Sequence, residues 1–284
     1  MKISSISKQL KQCGFKPLKR LGQNFLIDEN VLRKIIEAAD LPASPSGGSP
    51  EDVVLEIGPG LGILTLELAK KVKKVIAVEK DERMCEILKN ILNDKNIKNV
   101  EVINQDILKT DPQLYLDREK VTDYKIVANI PYYLTSPLIR RFLETGYKPN
   151  LMVLMVQKEV AQRIIAKPPH MNLLATSVQF YAEPKIISYV SKKSFWPIPK
   201  VDSAIIKIIP RKSALLSAPI CDKFFELVRA GFSSKRKMLI NNLSRKFKIE
   251  KEKLKNLLEE ININPRVRAE NLSLDDWLRV IHIL

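Results

Sequence analysis

The chain has 284 residues, of which 45% are hydrophobic, so it can bury a sizeable core and form one large domain with a smaller second one. Lysine and arginine outnumber aspartate and glutamate by 48 to 32, and the resulting net charge of +16 favours a polyanionic partner, usually a nucleic acid, with a membrane surface as the competing interpretation. Because no apolar run approaches the ~18 residues of a membrane-spanning helix and no signal-peptide core precedes the first domain, we expect a cytoplasmic protein without a membrane partner.

A basic segment opens the chain. No acidic residue precedes Asp28, whereas six basic residues do: Lys2, Lys8, Lys11, Lys16, Lys19 and Arg20. This pattern is equally typical of a solvated tail and of an arm that clamps RNA phosphates. A helix is predicted over residues 31–39, with Asp28 near its start, and a loop rich in Pro, Ser and Gly over residues 41–50.

Apolar strands and helices then alternate as far as residue 156. This alternation predicts a mostly parallel sheet with right-handed crossovers, followed by a helix over residues 158–166 and two further strands. The predicted strands are 53–57, 74–78, 100–103, 124–128, 186–190 and 204–209.

A glycine-rich turn follows the first of these strands. Gly58, Gly60 and Gly62 alternate with other residues, a spacing that departs from the dinucleotide-binding fingerprint but still lets a ligand approach the backbone closely. Glu79 ends the next strand, about 20 residues after the turn, where an acid can accept hydrogen bonds from ribose hydroxyls. Asp106 comes just after the third strand, and its carboxylate could accept from an adenine amine.

The tetrapeptide at residues 129–132 (NIPY) stands at the end of the fourth strand, where open α/β sheets place ligands. The side-chain oxygen of Asn129 and the backbone carbonyl of Ile130, which Pro131 helps to hold extended, could accept from the two hydrogens of a base amine. Tyr132 could stack on the same base. By itself the tetrapeptide is equally well explained as a strand followed by a Pro-Tyr turn.

Helices are predicted throughout the last quarter of the chain, at residues 223–230, 236–247, 251–260 and 274–283. The densest basic cluster, residues 235–237 (KRK), follows Ser233 and Ser234, either of which could cap a helix. This cluster is either a solvated helix face or, as we favour in so basic a protein, a contact for RNA phosphates. Ser273 is the predicted N-cap of the last helix.

Cysteine and histidine are sparse. Cys13, Cys85 and Cys221 are far apart and form no C-x-x-C pair, and the only histidines are His170 and His282. Because a zinc site needs a denser set of ligands, we expect no metal site and reduced cysteines.

Taken together, these motifs resemble those of a class I S-adenosylmethionine-dependent methyltransferase. The motifs that carry this resemblance are residues 56–62 (EIGPGLG), Glu79, Asp106 and residues 129–132. Two more, residues 21–26 (LGQNFL) and 195–203 (FWPIPKVDS), are similar to signatures of the ribosomal RNA adenine dimethyltransferases, specifically the small-subunit KsgA/RsmA family. The resemblance implies an α/β fold, Rossmann-like, with a mostly parallel seven-stranded sheet that usually ends in an antiparallel hairpin, and a small all-α C-terminal domain.

The resemblance also implies two domains and a set of site residues. Residues 1–210 would form the methyltransferase domain with its basic arm, and residues 211–284 a helical RNA-binding domain. The residues implied to bind the cofactor S-adenosyl-L-methionine are Asn24 and Leu26 in the pocket wall, Gly58 at its methionine part, Glu79 at its ribose, Asp106 at its adenine amine, and Asn129. Those implied to act on the target adenine are Asn129, Pro131, Tyr132 and Phe195, with Tyr132 and Phe195 packing on opposite sides of the base. Trp196 is assigned no role.

The implied reaction is direct methyl transfer to adenine N6, which depends mainly on positioning. The implied substrate is a pair of adjacent adenosines in the 3′-terminal hairpin of 16S rRNA, in free rRNA or in the assembling 30S subunit, and the implied state is a monomer. A 23S rRNA adenine N6-methyltransferase of the erythromycin-resistance type and a non-catalytic nucleic-acid-binding relative are the alternatives. A nicotinamide-dependent oxidoreductase ranks a distant fourth, because the sequence shows neither its catalytic His or Tyr-Lys arrangement nor its glycine spacing.

Overall fold

The structure is a computed structural model that describes residues 17–18, 22–41, 53–118, 121, 123–212 and 217–284. The six basic residues of the predicted arm, Cys13 and nearly all of the predicted loop at 41–50 lie outside the described residues. The chain divides into two compact units, Met1–Ala161 with Lys185–Pro210, and Gln162–Pro184 with Arg211–Leu284. Residues 162–184, which we predicted within the first domain, therefore group with the C-terminal helices.

Strands and helices follow one another along the described part of the chain. The first ones are β1 (Phe25–Leu26), α1 (Glu29–Ala38), β2 (Val53–Ile57), α2 (Ile63–Ala69), β3 (Lys74–Glu79), α3 (Glu82–Asp94), β4 (Val100–Asn104), α4 (Gln113–Arg118), β5 (Tyr124–Asn129), α5 (Thr135–Leu143) and β6 (Leu151–Gln157). After these come α6 (Lys158–Ile164), α7 (Leu173–Tyr181), β7 (Ala182–Val190), β8 (Phe195–Trp196), β9 (Ser203–Pro210), α8 (Ala218–Gly231), α9 (Leu239–Phe247), α10 (Lys251–Glu260) and α11 (Leu274–Ile283).

A seven-stranded sheet has the order β4-β3-β2-β5-β6-β9-β7. Strands β2 to β6 are parallel, and β9 runs antiparallel to β6, with Met152 opposite Ile208. The predicted mostly parallel sheet is therefore confirmed. Because the chain leaves β2 for β3 on one side and β5 lies on its other side, the strand order reverses between β2 and β5, and this is where such sheets bind ligands.

Burial explains why the parallel strands were predictable. All five residues of β2 are buried, and six of the seven residues of β6 are. A strand covered on both faces is an unbroken apolar run, which is easy to recognise. By contrast, β7 is buried only at its two end residues, alternates exposed and half-buried positions between them, and contains Pro184, so its first four residues escaped prediction. It is the last strand in the sheet, where a proline that donates no hydrogen bond is tolerated.

Local capping signals were also reliable. The Oδ1 of Asp28 accepts hydrogen bonds from the backbone N–H groups of Asn30 (3.0 Å) and Val31 (3.3 Å), as expected at the start of α1. The Oγ of Ser273 accepts from the N–H of Asp276 at 3.1 Å, so Ser273 is the N-cap of α11 as predicted.

The start of α9 was predicted wrongly. The helix begins at Leu239 rather than at 236, and its N-cap residue is Met238, not Ser233 or Ser234. The reason is tertiary: the buried Nδ2 of Asn242 donates to the backbone carbonyls of Gly231 (2.7 Å) and Ser234 (3.2 Å), which holds the preceding residues in turns. The basic cluster at 235–237 therefore lies on a connection and not on a helix.

The second unit has its own apolar core. Trp277 and Val280 of α11 are fully buried there, together with Phe224 and Val228 of α8. Helix α7 contributes Phe180, whose ring stacks on that of Phe224 at a centroid distance of 4.6 Å. We did not predict α7, because an apolar helix that is buried on several sides lacks the one-sided pattern by which helices are recognised.

Candidate active site

A cavity in the first unit opens where β2, β3 and β5 end. It contains about 1080 Å³ of empty space, part of it continuous with solvent. All nine predicted site residues line it: Asn24, Leu26, Gly58, Glu79, Asp106, Asn129, Pro131, Tyr132 and Phe195. Residues from both ends of the first unit's sequence thus meet at the strand-order reversal.

The glycine turn between β2 and α2 requires glycine for two reasons. Gly58, Gly60 and Gly62 have φ angles of 68°, 54° and 77°, a left-handed conformation that residues with a side chain rarely adopt. A Cβ atom on Gly62 would lie 2.4 Å from Cδ1 of Leu88, and one on Gly60 would lie 3.1 Å from the ring of Phe25. The turn therefore presents bare backbone to the cavity.

Glu79 is held rigidly by this turn. Its Oε2 accepts from the N–H of Gly60 at 3.1 Å and its Oε1 from the N–H of Asp81 at 2.8 Å. Burial raises the pKa of the Glu79 carboxyl above its usual value. Because each carboxylate oxygen has two lone pairs, Glu79 can still accept hydrogen bonds from a ligand.

A chain of hydrogen bonds connects this carboxylate to the N-terminal segment. Asp81, whose N–H binds Glu79, accepts from Nε2 of Gln23 at 2.8 Å, and Oε1 of Gln23 accepts from the N–H of Leu18 at 2.7 Å. The side chain of Arg83, and then that of Gln23, hold the pKa of Asp81 below its usual value. We predicted no role for Gln23, although its position between Gly22 and Asn24 in the 21–26 motif was a signal.

Asp106 is an ionised acceptor at the cavity wall. Its Oδ2 lies 2.9 Å from Nζ of Lys80, and its Oδ1 accepts from the N–H of Leu108 at 3.1 Å. Although burial acts to raise its pKa, these two partners outweigh burial and hold the pKa of Asp106 below its usual value. Lys80, which also lines the cavity, was missed by the sequence reasoning, although it directly follows Glu79.

Glu56 is a third carboxyl in the cavity, beside Glu79 and Asp106, and it was not among the predicted site residues. It lies in β2 just before the turn, lines the cavity and is only 1% exposed. Burial, reinforced by the nearby charge of Glu79, raises its pKa from 4.5 to about 8. The side chain is therefore mainly neutral at pH 7, and an acid at the base of a pocket can respond to the charge of what binds there.

This pKa shift predicts a pH-dependent stability. Between pH 4.5 and about 8 the folded protein keeps a proton on Glu56 that the unfolded chain has lost, so the free energy of unfolding should fall as the pH rises. The decline should reach about 1.4 kcal/mol per pH unit, and Glu56→Gln should remove it. Denaturant unfolding across this range tests the prediction, with the exposed Glu86→Gln as control. A decline that is equally steep in Glu56→Gln would contradict it.

Asn129 and Ile130 present two acceptors. The Nδ2 of Asn129 donates to the backbone carbonyl of Asn24 at 3.3 Å, which orients the amide. Within the described ranges, neither Oδ1 of Asn129 nor the carbonyl oxygen of Ile130 accepts a hydrogen bond. Pro131 is extended (φ −54°, ψ 134°), and its carbonyl accepts from the N–H of Leu134 in the short 3₁₀ turn over Tyr132–Leu134.

Two aromatic side chains complete the wall. The hydroxyl of Tyr132 is hydrogen-bonded to Oγ of Ser203 at 2.8 Å, and burial raises the pKa of the phenol, which stays neutral. Phe195 is 1% exposed and pairs through its backbone with Leu26, in the two-residue antiparallel strands β1 and β8. This pairing, which joins the 21–26 and 195–203 motifs, was not predicted because strands of two residues show no periodicity.

Trp196 acquires a packing role that the sequence did not indicate. It lies opposite Phe25 across the β1–β8 pair, and the two rings stack at a centroid distance of 6.2 Å. Phe25 in turn packs beside Gly60, so the stack supports the glycine turn.

No helix within the described residues is long and apolar enough to cross a membrane. The described residues also include no group of three or more His, Cys, Asp or Glu side chains that could hold a metal ion.

The sequence matches the family model described as ribosomal RNA adenine dimethylase over residues 14–284. The chain belongs to the ribosomal RNA adenine dimethylase family. This dimethylase is therefore an S-adenosylmethionine-dependent methyltransferase, as the motifs predicted.

Curated relatives agree with the predicted branch of the family. The dimethylase is 44% identical over 265 residues to the Ribosomal RNA small subunit methyltransferase A of Dehalococcoides mccartyi, with 93% of this chain and 87% of the relative covered. It is 40% identical over 282 residues to the protein of the same name from a Geobacillus species, with 97% and 94% covered. The resemblance to the small-subunit enzymes is confirmed.

Two solved structures have the same fold. A dimethyladenosine transferase from Plasmodium falciparum matches with a TM-score of 0.73 and 31% identity, covering 90% of this chain and 95% of that one. The 23S rRNA methyltransferase ErmE matches with a TM-score of 0.73 and 26% identity, covering 92% and 99%. These matches confirm the predicted class I methyltransferase fold with its helical C-terminal region.

Proposed function

We propose that this dimethylase transfers methyl groups to N6 of two adjacent adenosines in the 3′-terminal hairpin of 16S rRNA, acting as a cytoplasmic monomer during assembly of the 30S subunit. One observation carries the proposal: the pair of unengaged acceptors on Asn129 and Ile130, which lines the same cavity as the carboxylates of Glu79 and Asp106. The relatives named small subunit methyltransferase A support the choice of rRNA.

The cavity fits the cofactor by its donor and acceptor set. Glu79 is fixed by two backbone N–H groups and has lone pairs left for the two ribose hydroxyls. Asp106, ionised and held by Lys80, can accept from the adenine amine, while Asn24 and Leu26 also line the cavity. The bare backbone at Gly58 leaves room for the methionine part.

The target amine is oriented by two acceptors. Oδ1 of Asn129 and the carbonyl of Ile130 would each accept one N–H of adenine N6, so that the nitrogen lone pair points away from both. Bound S-adenosylmethionine supplies an activated methyl group for that lone pair. Tyr132 and Phe195 hold the plane of the base, and catalysis rests on this positioning because no nucleophilic side chain is needed.

The second methylation requires the same acceptors to act differently. After the first transfer only one N–H remains, so either Asn129 or Ile130 must release its hydrogen bond while the other keeps the amine oriented. The proton lost in each transfer can leave from the methylated cationic nitrogen, which is acidic, so no strong general base is required.

RNA would also be held by a basic cleft in the second unit. Four cationic side chains line this cleft, namely those of Arg236, Lys237, Arg245 and Lys251. Met238, Asn241 and Ser244 complete its lining. A concave surface with this density of positive charge is suited to phosphate groups. This cleft supports the proposed RNA-binding role of residues 211–284.

Salt dependence tests this role. Replacing Arg236 and Lys237 with alanine should weaken binding to 16S rRNA and make the dependence of log K on log salt less steep by about 0.7 to 0.9 for each phosphate that the variant no longer neutralises. Filter-binding or fluorescence titration over a range of salt concentrations measures the slope. Lys223→Ala, an exposed change on α8 outside the cleft, is the matched control. A salt-dependence slope that is unchanged in the double variant would exclude the cleft as a binding site for RNA phosphates.

The reaction is tested by incubating the purified protein with labelled S-adenosylmethionine and either unmethylated small subunits or free 16S rRNA, followed by mapping of the product. We expect label in N6,N6-dimethyladenosine at two adjacent positions. Label that is absent from dimethyladenosine, or that appears only in 23S rRNA, would refute the proposal. Light scattering of the same preparation measures the molar mass in solution and so tests whether the protein is a monomer.

A 23S rRNA methyltransferase is the second candidate. The structural match to ErmE favours it, since that chain is covered almost completely. Its identity of 26% is well below the 40% to 45% of the small-subunit relatives, so we prefer the small-subunit substrate. Large subunits included in the labelling experiment separate the two.

A further inference from the structure

Tyr133 lines the cavity and takes no part in the proposed reaction. It is the middle residue of the short 3₁₀ turn Tyr132–Leu134 and lines the cavity, yet 52% of it is exposed. Single exposed tyrosines are common on protein surfaces, so the position of Tyr133 at the cavity, and not its exposure alone, is the informative observation. Its position next to Tyr132 places it beside the proposed base pocket.

The ring packs beside the backbone at Gly22. Gly22 adopts φ +62°, and a Cβ built there would lie 3.5 Å from Cβ of Pro131 and 3.7 Å from Cδ1 of Tyr133. Gly22 therefore packs closely along Pro131 and one part of the tyrosine ring. The rest of the ring remains open to solvent.

The two neighbouring tyrosines differ in what they can contact. Tyr132 is partly buried and its hydroxyl is bonded to Ser203, so its ring belongs to the pocket wall. Within the part of the chain that the structure describes, the hydroxyl of Tyr133 takes part in no hydrogen bond. The ring of Tyr133 is therefore open to a ligand, and exposed aromatic rings stack on the bases of single-stranded nucleic acids.

We propose that Tyr133 is the stacking platform for the nucleotide next to the target adenosine. The inference rests on the proposed function and extends it. When one base leaves its stack to enter the pocket, its neighbour loses a stacking partner, and the exposed ring directly beyond Tyr132 replaces it. With two adjacent adenosines as substrate, the neighbour is the other adenosine, so Tyr133 would hold one member of the pair while its partner is methylated.

The test combines a change in the protein with a change in the RNA. Small subunits are reconstituted from 16S rRNA in which one or the other of the two adenosines is abasic, and kcat/KM is measured for methylation of the remaining one. We expect the unsubstituted enzyme to lose about 5- to 150-fold on one of these substrates, the range found for stacking of one base. Tyr133→Ala should lose the same factor on intact subunits and nothing further on that abasic substrate.

Two matched variants serve as controls. Tyr133→Phe keeps the ring and should retain kcat/KM within about twofold. Tyr189→Ala removes a tyrosine of almost the same exposure, 53%, that does not line the cavity, and it should leave all substrates unaffected. A purely structural role of Tyr133 would lower activity by the same factor on every substrate.

The results distinguish a failure of the stacking role of Tyr133 from a failure of the proposed methyltransferase function. If the losses from Tyr133→Ala and from both abasic substrates multiply, or if Tyr133→Phe is as poor as Tyr133→Ala, the stacking platform is overturned while methylation of small subunits still stands. If the unsubstituted enzyme transfers no methyl group to intact small subunits, the proposed function and the platform fall together.

Discussion

Replacing Asn129 with alanine is expected to slow methyl transfer by about 10²- to 10³-fold at saturating cofactor while leaving the affinity for RNA nearly unchanged. The amide of Asn129 is oriented by its 3.3 Å hydrogen bond to the carbonyl of Asn24, which directs Oδ1 to act as one of the two acceptors that we propose for the target amine. Alanine removes that acceptor, and the amine is then free to rotate away from the methyl group. Single-turnover transfer to small subunits and a separate RNA-binding titration measure the two effects.

The control is Asn150→Ala, which removes an asparagine of the same unit whose Nδ2 donates to Asp123 outside the cavity. We expect the rate of methyl transfer and the RNA affinity of this variant to remain near those of the unsubstituted enzyme. A loss of RNA affinity in Asn129→Ala in proportion to the loss of transfer would show that Asn129 holds the RNA rather than orienting the amine.

Gly231→Ala is expected to lower the free energy of unfolding by about 1–3 kcal/mol. In most helices alanine is preferred to glycine by about 1 kcal/mol, but here packing decides the sign. A Cβ on Gly231, the last residue of α8, would lie 2.2 Å from Cη2 of the fully buried Trp277 and 3.1 Å from Cδ1 of Leu239. Because the indole is fully buried, any shift that makes room for the methyl group must displace the side chains packed around it. Denaturant unfolding of the two proteins measures the difference.

Gly146→Ala is the matched control, since a Cβ there would meet no atom within 4 Å. It should leave the stability unchanged or slightly raised. Because the carbonyl of Gly231 also accepts from Nδ2 of Asn242, Gly231→Ala should in addition weaken RNA binding through the basic cleft that follows. A stability of Gly231→Ala equal to that of Gly146→Ala would mean that the second unit repacks around the added methyl group.

Features that depend on residues close together in the sequence were predicted correctly, whereas a feature set by a distant residue was not. Asp28 and Ser273 were recognised as helix starts because a cap involves only the next few residues. The buried parallel strands were recognised because burial on both faces produces a continuous apolar run. In contrast, the start of α9 was misplaced because Asn242, with its hydrogen bonds back to Gly231 and Ser234, controls the connection from within the helix that follows it.

In the candidate site, too, the residues that form sequence motifs were predicted, and those that matter through distant partners were missed. All nine predicted site residues line one cavity, although the roles assigned to them remain predictions. The residues that were missed, Gln23, Lys80 and Glu56, matter through their partners: Gln23 through Asp81, Lys80 through Asp106, and Glu56 through its burial. None of these three relationships is a property of local sequence.

The sequence by itself therefore determined the fold class, the family and the residues that line the cavity, because ordered motifs and apolar runs are formed by residues close to one another along the chain. Only the tertiary structure decided that Oδ1 of Asn129 accepts no hydrogen bond within the described residues, that burial raises the pKa of Glu56 to about 8, and that Tyr133 is exposed beside the pocket. These properties depend on hydrogen-bond partners and solvent exclusion supplied by segments far apart in the chain, and they arise only when the sheet brings those segments together.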